Sequence, residues 1–228
     1  MQYIDFLRRV PLFAELEEDE LEQLSSVIRE HHYRKNVTIF HIDDPGNAMF
    51  IIKNGLVKVT IEDEAGREMI IRMLYSTDFF GDMALVDGLP RSATVTTQES
   101  SDILIIHRDQ FLHIAQQYPK ILLNMAAVLS RRLRASDELI RSLAFFDVYG
   151  KVARVLLTLA MDKGRTTDEG MVIDLRLTQQ ELAELAGMSR ETMTRTLRAF
   201  QRAGVVRMES GVITILSIDM LRREMRVA

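Results

Sequence analysis

The chain of 228 residues has no cysteine. That excludes disulfides, thiolate metal sites and cysteine-held iron–sulfur clusters. It has no run of about 18 apolar residues, the length that a membrane-spanning helix needs. Its start, Met1-Gln2-Tyr3-Ile4-Asp5, lacks the basic-then-apolar build of a secretory leader. A cytoplasmic protein with no membrane partner is therefore expected. Histidine is sparse and scattered, at His31, His32, His41, His107 and His113. No Ser-His-Asp order, metal-ligand spacing or P-loop stands out, so an enzyme is not expected and the histidines read as surface or core residues.

Excess charge of one sign is also small overall, a net −4, but it is unevenly placed. Residues 1–148 hold 16 Lys and Arg against 23 Asp and Glu, a net −7, whereas residues 149–228 hold 13 against 10, a net +3. The acidic total thus does not argue against nucleic acid, because the basic excess sits in the C-terminal third.

That third carries the most informative stretch. Leu177–Met188 and Ser189–Gln201 read as two helices joined by a tight turn at Gly187. Leu182, Leu185 and Ala186 share one helical face, and Met193, Leu197 and Phe200 share the next. Ser189 suits an N-cap. The second helix then leads with Arg190 and Glu191, followed one turn later by Arg195. Arginine grips guanine O6 and N7 in a bidentate way and glutamate accepts from cytosine N4, so such a helix suits a major groove of double-stranded DNA.

Upstream, residues 3–31 read as helical, broken at Pro11. From about Val37 to Ile106 short β-rich runs alternate with turn signals at Asp44-Pro45-Gly46-Asn47 and Glu64-Ala65-Gly66-Arg67. The strongest is Asn54-Gly55, between Phe50–Lys53 and Leu56–Ile61, which predicts a type I′ hairpin. Strands at this spacing suggest a small antiparallel barrel or jelly roll. A long helix over about Arg108–Phe146, broken near Pro119, follows. Leu122, Met125, Leu129, Arg132, Ser136, Leu139 and Leu143 make a heptad-like seam suited to a homodimer. Its polar middle reads either as a solvated face in the wrong register or as a layer that meets a ligand. Asp147–Gly150 reads as a hinge. After it come a helix over Lys151–Met161, a polar loop over Asp162–Gly170 and a strand over Met171–Leu175. A two-stranded wing over Val205–Met208 and Val212–Leu216 turns at Ser210-Gly211, and a last short helix is capped by Ser217.

One further stretch carries chemistry. In Phe79–Val95, Gly81 lets backbone N–H groups approach an anion, a short apolar turn follows, and Arg91-Ser92 returns to a strand. Arg91 can fork to a phosphate and Ser92 can add a hydroxyl. Asp82 would be repelled by a phosphate, so its partner is a sugar hydroxyl or an arginine. On these residues alone, a surface loop with an incidental ion pair stands equally.

Phe80-Gly81-Asp82-Met83-Ala84-Leu85 with Pro90-Arg91-Ser92-Ala93 resembles the phosphate-binding cassette of cyclic-nucleotide-binding domains. Together with Leu143–Val148 and Ser189-Arg190-Glu191-Thr192…Arg195, the chain resembles the cyclic-AMP receptor and fumarate–nitrate regulator superfamily of transcription regulators. The resemblance implies an α+β chain: a cyclic-nucleotide-binding β-barrel or jelly roll over 1–118, a dimerisation helix and hinge over 119–147, and a winged helix-turn-helix over 148–228. It implies that Arg91 and Ser92 hold a cyclic phosphate with backbone contacts from Gly81 and Met83. Asp82 stands where cyclic-AMP binders usually have Glu for the ribose 2′-hydroxyl. Arg132 matches a dimer-helix arginine near that acid, Ser136 a Thr that contacts the adenine amine, and Asp137 a Ser supplied by the other subunit. Cyclic AMP is the implied ligand. Asp82 is one methylene short, and the Asp137 carboxylate suits guanine donors as well as adenine, so cyclic GMP or cyclic di-GMP is the alternative, as is DNA binding without ligand. No metal, haem or iron–sulfur cluster is expected. Arg190, Glu191 and Arg195 match the family's base-reading trio and imply TGTGA-type half-sites, with Thr178, Gln179, Ser189 and Thr192 on phosphates. The segment Asp162–Gly170 lies where the family contacts RNA polymerase.

Overall fold

The computed structural model describes residues 3–209 and 211–225. Met1, Gln2 and the expected turn residue Ser210 lie outside them. Contacts divide the chain into two compact units. One runs through Arg67 and resumes over Ile71–Arg134; the other takes Glu68–Ile70 and the chain from Ala135 onward.

The first unit opens with α1 (Ile4–Leu7) and α2 (Glu18–Val27). Eight strands follow: β1 (Arg29–Tyr33), β2 (Thr38–Phe40), β3 (Ala48–Asn54), β4 (Val57–Glu62), β5 (Glu68–Leu74), β6 (Phe79–Phe80), β7 (Thr94–Thr97) and β8 (Ser101–His107). Helix α3 (Asp82–Asp87) lies between β6 and β7; α4 (Arg108–Gln117) and α5 (Lys120–Phe145) follow β8. The strands form two four-stranded sheets, ordered β1-β8-β3-β6 and β2-β7-β4-β5, a jelly-roll arrangement. Strand β3 is buried on both faces because its alternate side chains serve two cores. Met49 and Ile51 pack with α1, α2 and α4 through Leu7, Leu21, Leu24 and Phe111, while Phe50 and Ile52 pack with Val57, Val95 and Ile103.

The structure corrects the expected Asn54-Gly55 hairpin. β3 pairs with β8 and β6, and β4 with β7, so the two runs belong to different sheets. A type I′ turn needs positive φ at both central residues, and only Gly55 has it, at 113°. The helical reading of residues 3–31 is also corrected. β1 occupies Arg29–Tyr33 and pairs with β8 at a sheet edge. Its residues Arg-Glu-His-His-Tyr are mostly solvent-facing, so they show no apolar alternation. There His32 Nδ1 lies 2.7 Å from Asp102 Oδ1 and Nε2 lies 3.0 Å from Ser100 Oγ, tying the β7–β8 turn to the edge strand.

The expected helical seam is split. Met125 is buried in the first unit's core and Arg132 is bonded within that unit, whereas Leu133 and Ile140 are 64% and 63% exposed. The outward stripe is Leu122, Ala126, Leu129, Leu133, Ser136, Ile140 and Leu143, with Leu129 and Ser136 half-buried. It keeps the 3-4 spacing of a coiled-coil face in a shifted register.

In the second unit the expected hinge over Asp147–Gly150 coincides with the junction of α5 and the next helix, where Asp147 is an N-cap. Its carboxylate accepts from the Gly150 N–H at 2.8 Å and caps α6 (Val148–Lys163), which starts three residues before the expected helix. The expected polar loop over Asp162–Gly170 is instead the end of α6 followed by a hairpin of β9 (Gly164–Thr167) and β10 (Gly170–Ile173). Its polar Arg-Thr-Thr strand carries no apolar period. Then come α7 (Gln179–Ala186), α8 (Arg190–Arg202), the wing strands β11 (Val206–Glu209) and β12 (Val212–Ile215), and α9 (Ile218–Glu224). β12 pairs with both β11 and β10, which extends the wing into a four-stranded sheet. Its core joins Val152, Leu156, Leu182, Met193, Leu197, Phe200, Ile213 and Leu221.

Candidate functional site

In the first unit the chain turns sharply between β6 and α3. Gly81 caps α3 with φ +77°. A Cβ there would lie 2.6 Å from Arg91 Nη1 and 3.1 Å from the Ala48 carbonyl oxygen, so only glycine fits. Arg91 is buried. It donates from Nη1 to Gly81 O at 2.9 Å and from Nη2 to Ala48 O at 2.8 Å, and its guanidinium carbon sits 4.3 Å over the Phe40 ring. Burial depresses its pKa, opposed by the nearby Asp44 and Asp82 carboxylates. The expected phosphate fork is therefore partly committed to the protein's own carbonyls, which aim the guanidinium across the turn.

Asp82 is 3% exposed and accepts from Arg132 Nη1 of α5 at 2.8 Å. Arg132 also donates to the Phe79 carbonyl and lies 4.4 Å over the Phe79 ring. The aspartate has thus met an arginine, one of its two expected kinds of partner. The short segment after Gly81 is helical from Asp82 rather than a plain turn. Ser92 is exposed, with its hydroxyl 3.5 Å from the Met83 sulfur. Two buried polar atoms here have no hydrogen-bond partner among the described residues, Asp82 Oδ2 and Arg91 Nε. A ligand bearing both hydroxyl donors and anionic acceptors fits that pair, which is the chemistry of a cyclic nucleotide's ribose and phosphate. The structure thus brings together Gly81, Asp82, Met83, Arg91, Ser92 and Arg132. Ser136 and Asp137 lie about one turn beyond Arg132 on α5 but belong to the second unit; Ser136 is half-buried and Asp137 exposed.

In the second unit α7 begins at Thr178. The Thr178 hydroxyl accepts from Glu181 N, and Glu181 Oε2 accepts from Thr178 N at 2.6 Å, a reciprocal cap. Gly187 ends α7 with φ +62°, a left-handed conformation that favours glycine. Ser189 then caps α8, accepting from Thr192 N at 3.3 Å. Met193, Thr196, Leu197 and Phe200 are buried, which leaves Arg190, Glu191 and Arg195 exposed on the opposite side. Its own backbone N–H, the Ser189 hydroxyl and the Arg190 charge hold the Glu191 carboxyl below the usual glutamate range, so it is an anionic acceptor at neutral pH.

The sequence matches the cyclic nucleotide-binding domain over residues 30–118 and the Crp-like helix-turn-helix domain over residues 150–224. It is 30% identical over 222 residues to the CRP-like cAMP-activated global transcriptional regulator of Mycobacterium tuberculosis, covering 97% of this chain and 99% of that one. It is 33% identical over 197 residues to the cAMP-activated global transcriptional regulator CRP of Escherichia coli, covering 86% and 93%. The chain belongs to the cyclic-AMP receptor protein family of transcription regulators. The solved structure of the c-di-GMP-responsive global regulator CLP of Xanthomonas campestris shares the fold, with a TM-score of 0.76 at 24% identity, covering 88% of this chain and 100% of that one.

As a member of this family the protein is a ligand-binding, DNA-binding transcription regulator and not an enzyme. No described helix is long and apolar enough to cross a membrane. The exposed face of α8 extends past Arg195. A groove of about 1060 Å³ is lined by Arg190, Glu191, Thr194, Arg195, Arg198, Gln201 and Arg202. Arg198 and Arg202 continue the basic face about two and three turns beyond Arg190 and Glu191, at a 3.6-residue period that the sequence displays. Thr194 is less legible. Its hydroxyl lies within hydrogen-bond distance of two acceptors, Gln179 Oε1 and Arg190 O, and the first of these ties the start of α7 to α8.

Proposed function

We propose that this family member is a cytoplasmic, homodimeric regulator switched by cyclic AMP, which reads near-palindromic sites with TGTGA-type half-sites. The observation that carries the reading is α8, with Arg190, Glu191 and Arg195 exposed above a buried apolar face. In this reading the two arginines grip guanines, Glu191 accepts from cytosine, and Thr178, Gln179, Ser189 and Thr192 hold phosphates. The outward stripe on α5 is the face for a second copy. A dimer then sets two recognition helices about 34 Å apart, one helical turn of DNA.

Cyclic AMP is favoured because relatives at 30% and 33% identity over most of their length are named as cAMP-activated. Arg91 and Ser92 would hold the cyclic phosphate with the backbone of Gly81 and Met83. Asp82, already oriented by Arg132, would accept from the ribose, and Ser136 and Asp137 would meet the base. The bound nucleotide supplies a charge and hydroxyls that bias the protein towards its DNA-binding arrangement, by no more than its differential affinity for the two arrangements. The exposed carboxylate of Asp137 favours a second arm for the test, since it suits guanine N1 and N2 donors. By the family resemblance, the segment Asp162–Gly170, which holds the end of α6 and the β9–β10 turn, would be the surface offered to RNA polymerase. The deciding experiment is calorimetric titration of nucleotide-free protein with cyclic AMP, cyclic GMP and cyclic di-GMP, each followed by a gel shift on a TGTGA palindrome. Micromolar cyclic-AMP binding that tightens DNA binding is expected. Binding of only a guanine nucleotide, or DNA binding indifferent to all three, overturns the cyclic-AMP assignment.

A further inference from the structure

The chain has no cysteine, so all of its sulfur is in 13 methionines. An oxidant that reacts with sulfur therefore meets thioethers and no thiol. Met49, Met73, Met125 and Met193 are buried, whereas Met83, Met161 and Met220 are exposed. Met161 on α6 and Met220 on α9 belong to the second unit. Among the described residues Met83, 54% exposed, is the only exposed methionine of the first unit, and it stands on α3 between the expected nucleotide ligands Gly81, Asp82 and Arg91-Ser92.

Helix α3 turns Asp82, Ala84 and Leu85 inward and leaves Met83 facing solvent. The Met83 sulfur lies 3.5 Å from the Ser92 hydroxyl, the group next to Arg91 that suits a phosphate oxygen. A thioether is a weak acceptor. It yields the hydroxyl readily to an anionic phosphate oxygen, whose hydrogen bonds are charge-assisted. Adding an oxygen to that sulfur changes the balance. A sulfoxide oxygen is a strong acceptor, and on a sulfur already beside Ser92 it reaches the hydroxyl without any shift of α3. It then competes with the phosphate for the same proton. Because Met83 is exposed, the added polarity disrupts no core packing, unlike oxidation of a buried methionine.

We propose that Met83 is a reversible oxidation site that sets nucleotide affinity: a peroxide converts its thioether to the sulfoxide, which holds the Ser92 hydroxyl and weakens the grip on a cyclic phosphate. This rests on the reading of the turn as a nucleotide site. In the step, hydrogen peroxide transfers one oxygen to the Met83 sulfur. An S–O bond forms, the O–O bond breaks, the sulfur gives up two electrons to the peroxide, and water leaves. A dithiol used by a methionine sulfoxide reductase reverses it: the sulfoxide oxygen leaves as water, and the two thiols are oxidised to a disulfide.

The test treats full-length wild type, Met83→Leu and the double variant Met161→Leu/Met220→Leu with graded hydrogen peroxide in the absence of nucleotide. Peptide mass analysis reads which methionines gain oxygen. Calorimetric titration with cyclic AMP, cyclic GMP and cyclic di-GMP reads affinity before and after treatment, and thermal unfolding reads stability. Wild type is expected to lose about three- to tenfold in affinity for its nucleotide, the worth of one neutral hydrogen bond, in step with the oxygen gained at Met83. The double variant should lose as much, whereas treated Met83→Leu should match its own untreated form. The nucleotide-free Tm should hold at doses that oxidise Met83, and a methionine sulfoxide reductase with a dithiol should restore affinity. Oxidised Met83 with unchanged affinity, an equal loss in Met83→Leu, or a loss that follows a falling nucleotide-free Tm overturns the proposal. So does a Met83 that resists peroxide while Met161 is oxidised. A wild type that binds none of the three nucleotides overturns the pocket reading and the switch with it, a failure seen before any peroxide is added.

Discussion

Arg91 bridges Gly81 O and Ala48 O from a buried position against Phe40. Removing it strands two carbonyls, so Arg91→Ala is expected to cost the nucleotide-free protein about 1–3 kcal/mol. Thermal unfolding measures that loss, and a variant with wild-type stability would show the two contacts to be incidental. On the DNA side Glu191 and Thr192 are neighbours with different tasks. Glu191→Ala should relax base choice within the half-site, whereas Thr192→Ala should weaken binding similarly on all sequences. Gel shifts on a set of single-base variants separate the two, and equal losses on every sequence for both would refute the base-reading role. The pKa of Glu191 is depressed, so its stabilisation of the helix start is present above the ordinary glutamate range and lost as pH falls through the lowered value. Base choice at its position should therefore stay constant between about pH 6 and 8.

At the scale of elements, the helix-turn-helix is held from outside as well as by its own caps. Arg154 on α6 donates from Nη2 to the Leu185 carbonyl, in the last turn of α7, at 2.9 Å. That carbonyl is one of the four that a helix C-terminus leaves unpaired, so the contact fixes α7 just before the Gly187 turn into α8. Burial lowers the Arg154 pKa, offset in part by the Glu138 charge. Arg154→Ala should destabilise the second unit by about 1–3 kcal/mol. Chemical denaturation of the nucleotide-free protein measures this, and a variant with wild-type stability would show the contact to be incidental. These elements were legible in the sequence because local signals agree there: an apolar 3.6-residue period, Thr178 and Ser189 as caps, and glycine at the stop. β1 and β9 were not legible. Their Arg-Glu-His-His-Tyr and Arg-Thr-Thr residues lie at sheet edges, facing water on most sides, so burial imposes no alternation on them. Asn54-Gly55 misled for the opposite reason. Its local turn preference is real, but β3 is buried on both faces and must hand the chain to the other sheet.

For the whole molecule, the exposed stripe on α5 is the proposed face for a second copy. Leu133 and Ile140 are the most exposed of its large apolar residues, and a second copy is the occupant that the proposed palindromic reading requires. Leu133→Asp and Ile140→Asp are each expected to shift the protein to monomer in sedimentation without altering its helix content. Affinity for a palindromic site should fall steeply, because one subunit then holds only one half-site. A dimer that survives both substitutions would place the interface elsewhere. The shifted register of the stripe has a plain cause. Met125 and Arg132 also obey a 3-4 spacing, but the first unit's core and Asp82 claim them.

By itself the sequence determined what local chemistry determines: where α7 and α8 begin and stop, the turn-punctuated runs of a β-rich half, two arginines and a glutamate at the start of α8, and a Gly-Asp…Arg-Ser set suited to phosphate and sugar. Tertiary structure alone decided which sheet each strand joins, which of two interleaved stripes on α5 faces outward, and that Arg91 is partly consumed by Gly81 and Ala48. The division follows from distance along the chain. Caps, turns and helical faces are set by residues within about four positions, whereas burial on a second face and the pairing of a charge depend on residues tens of positions away.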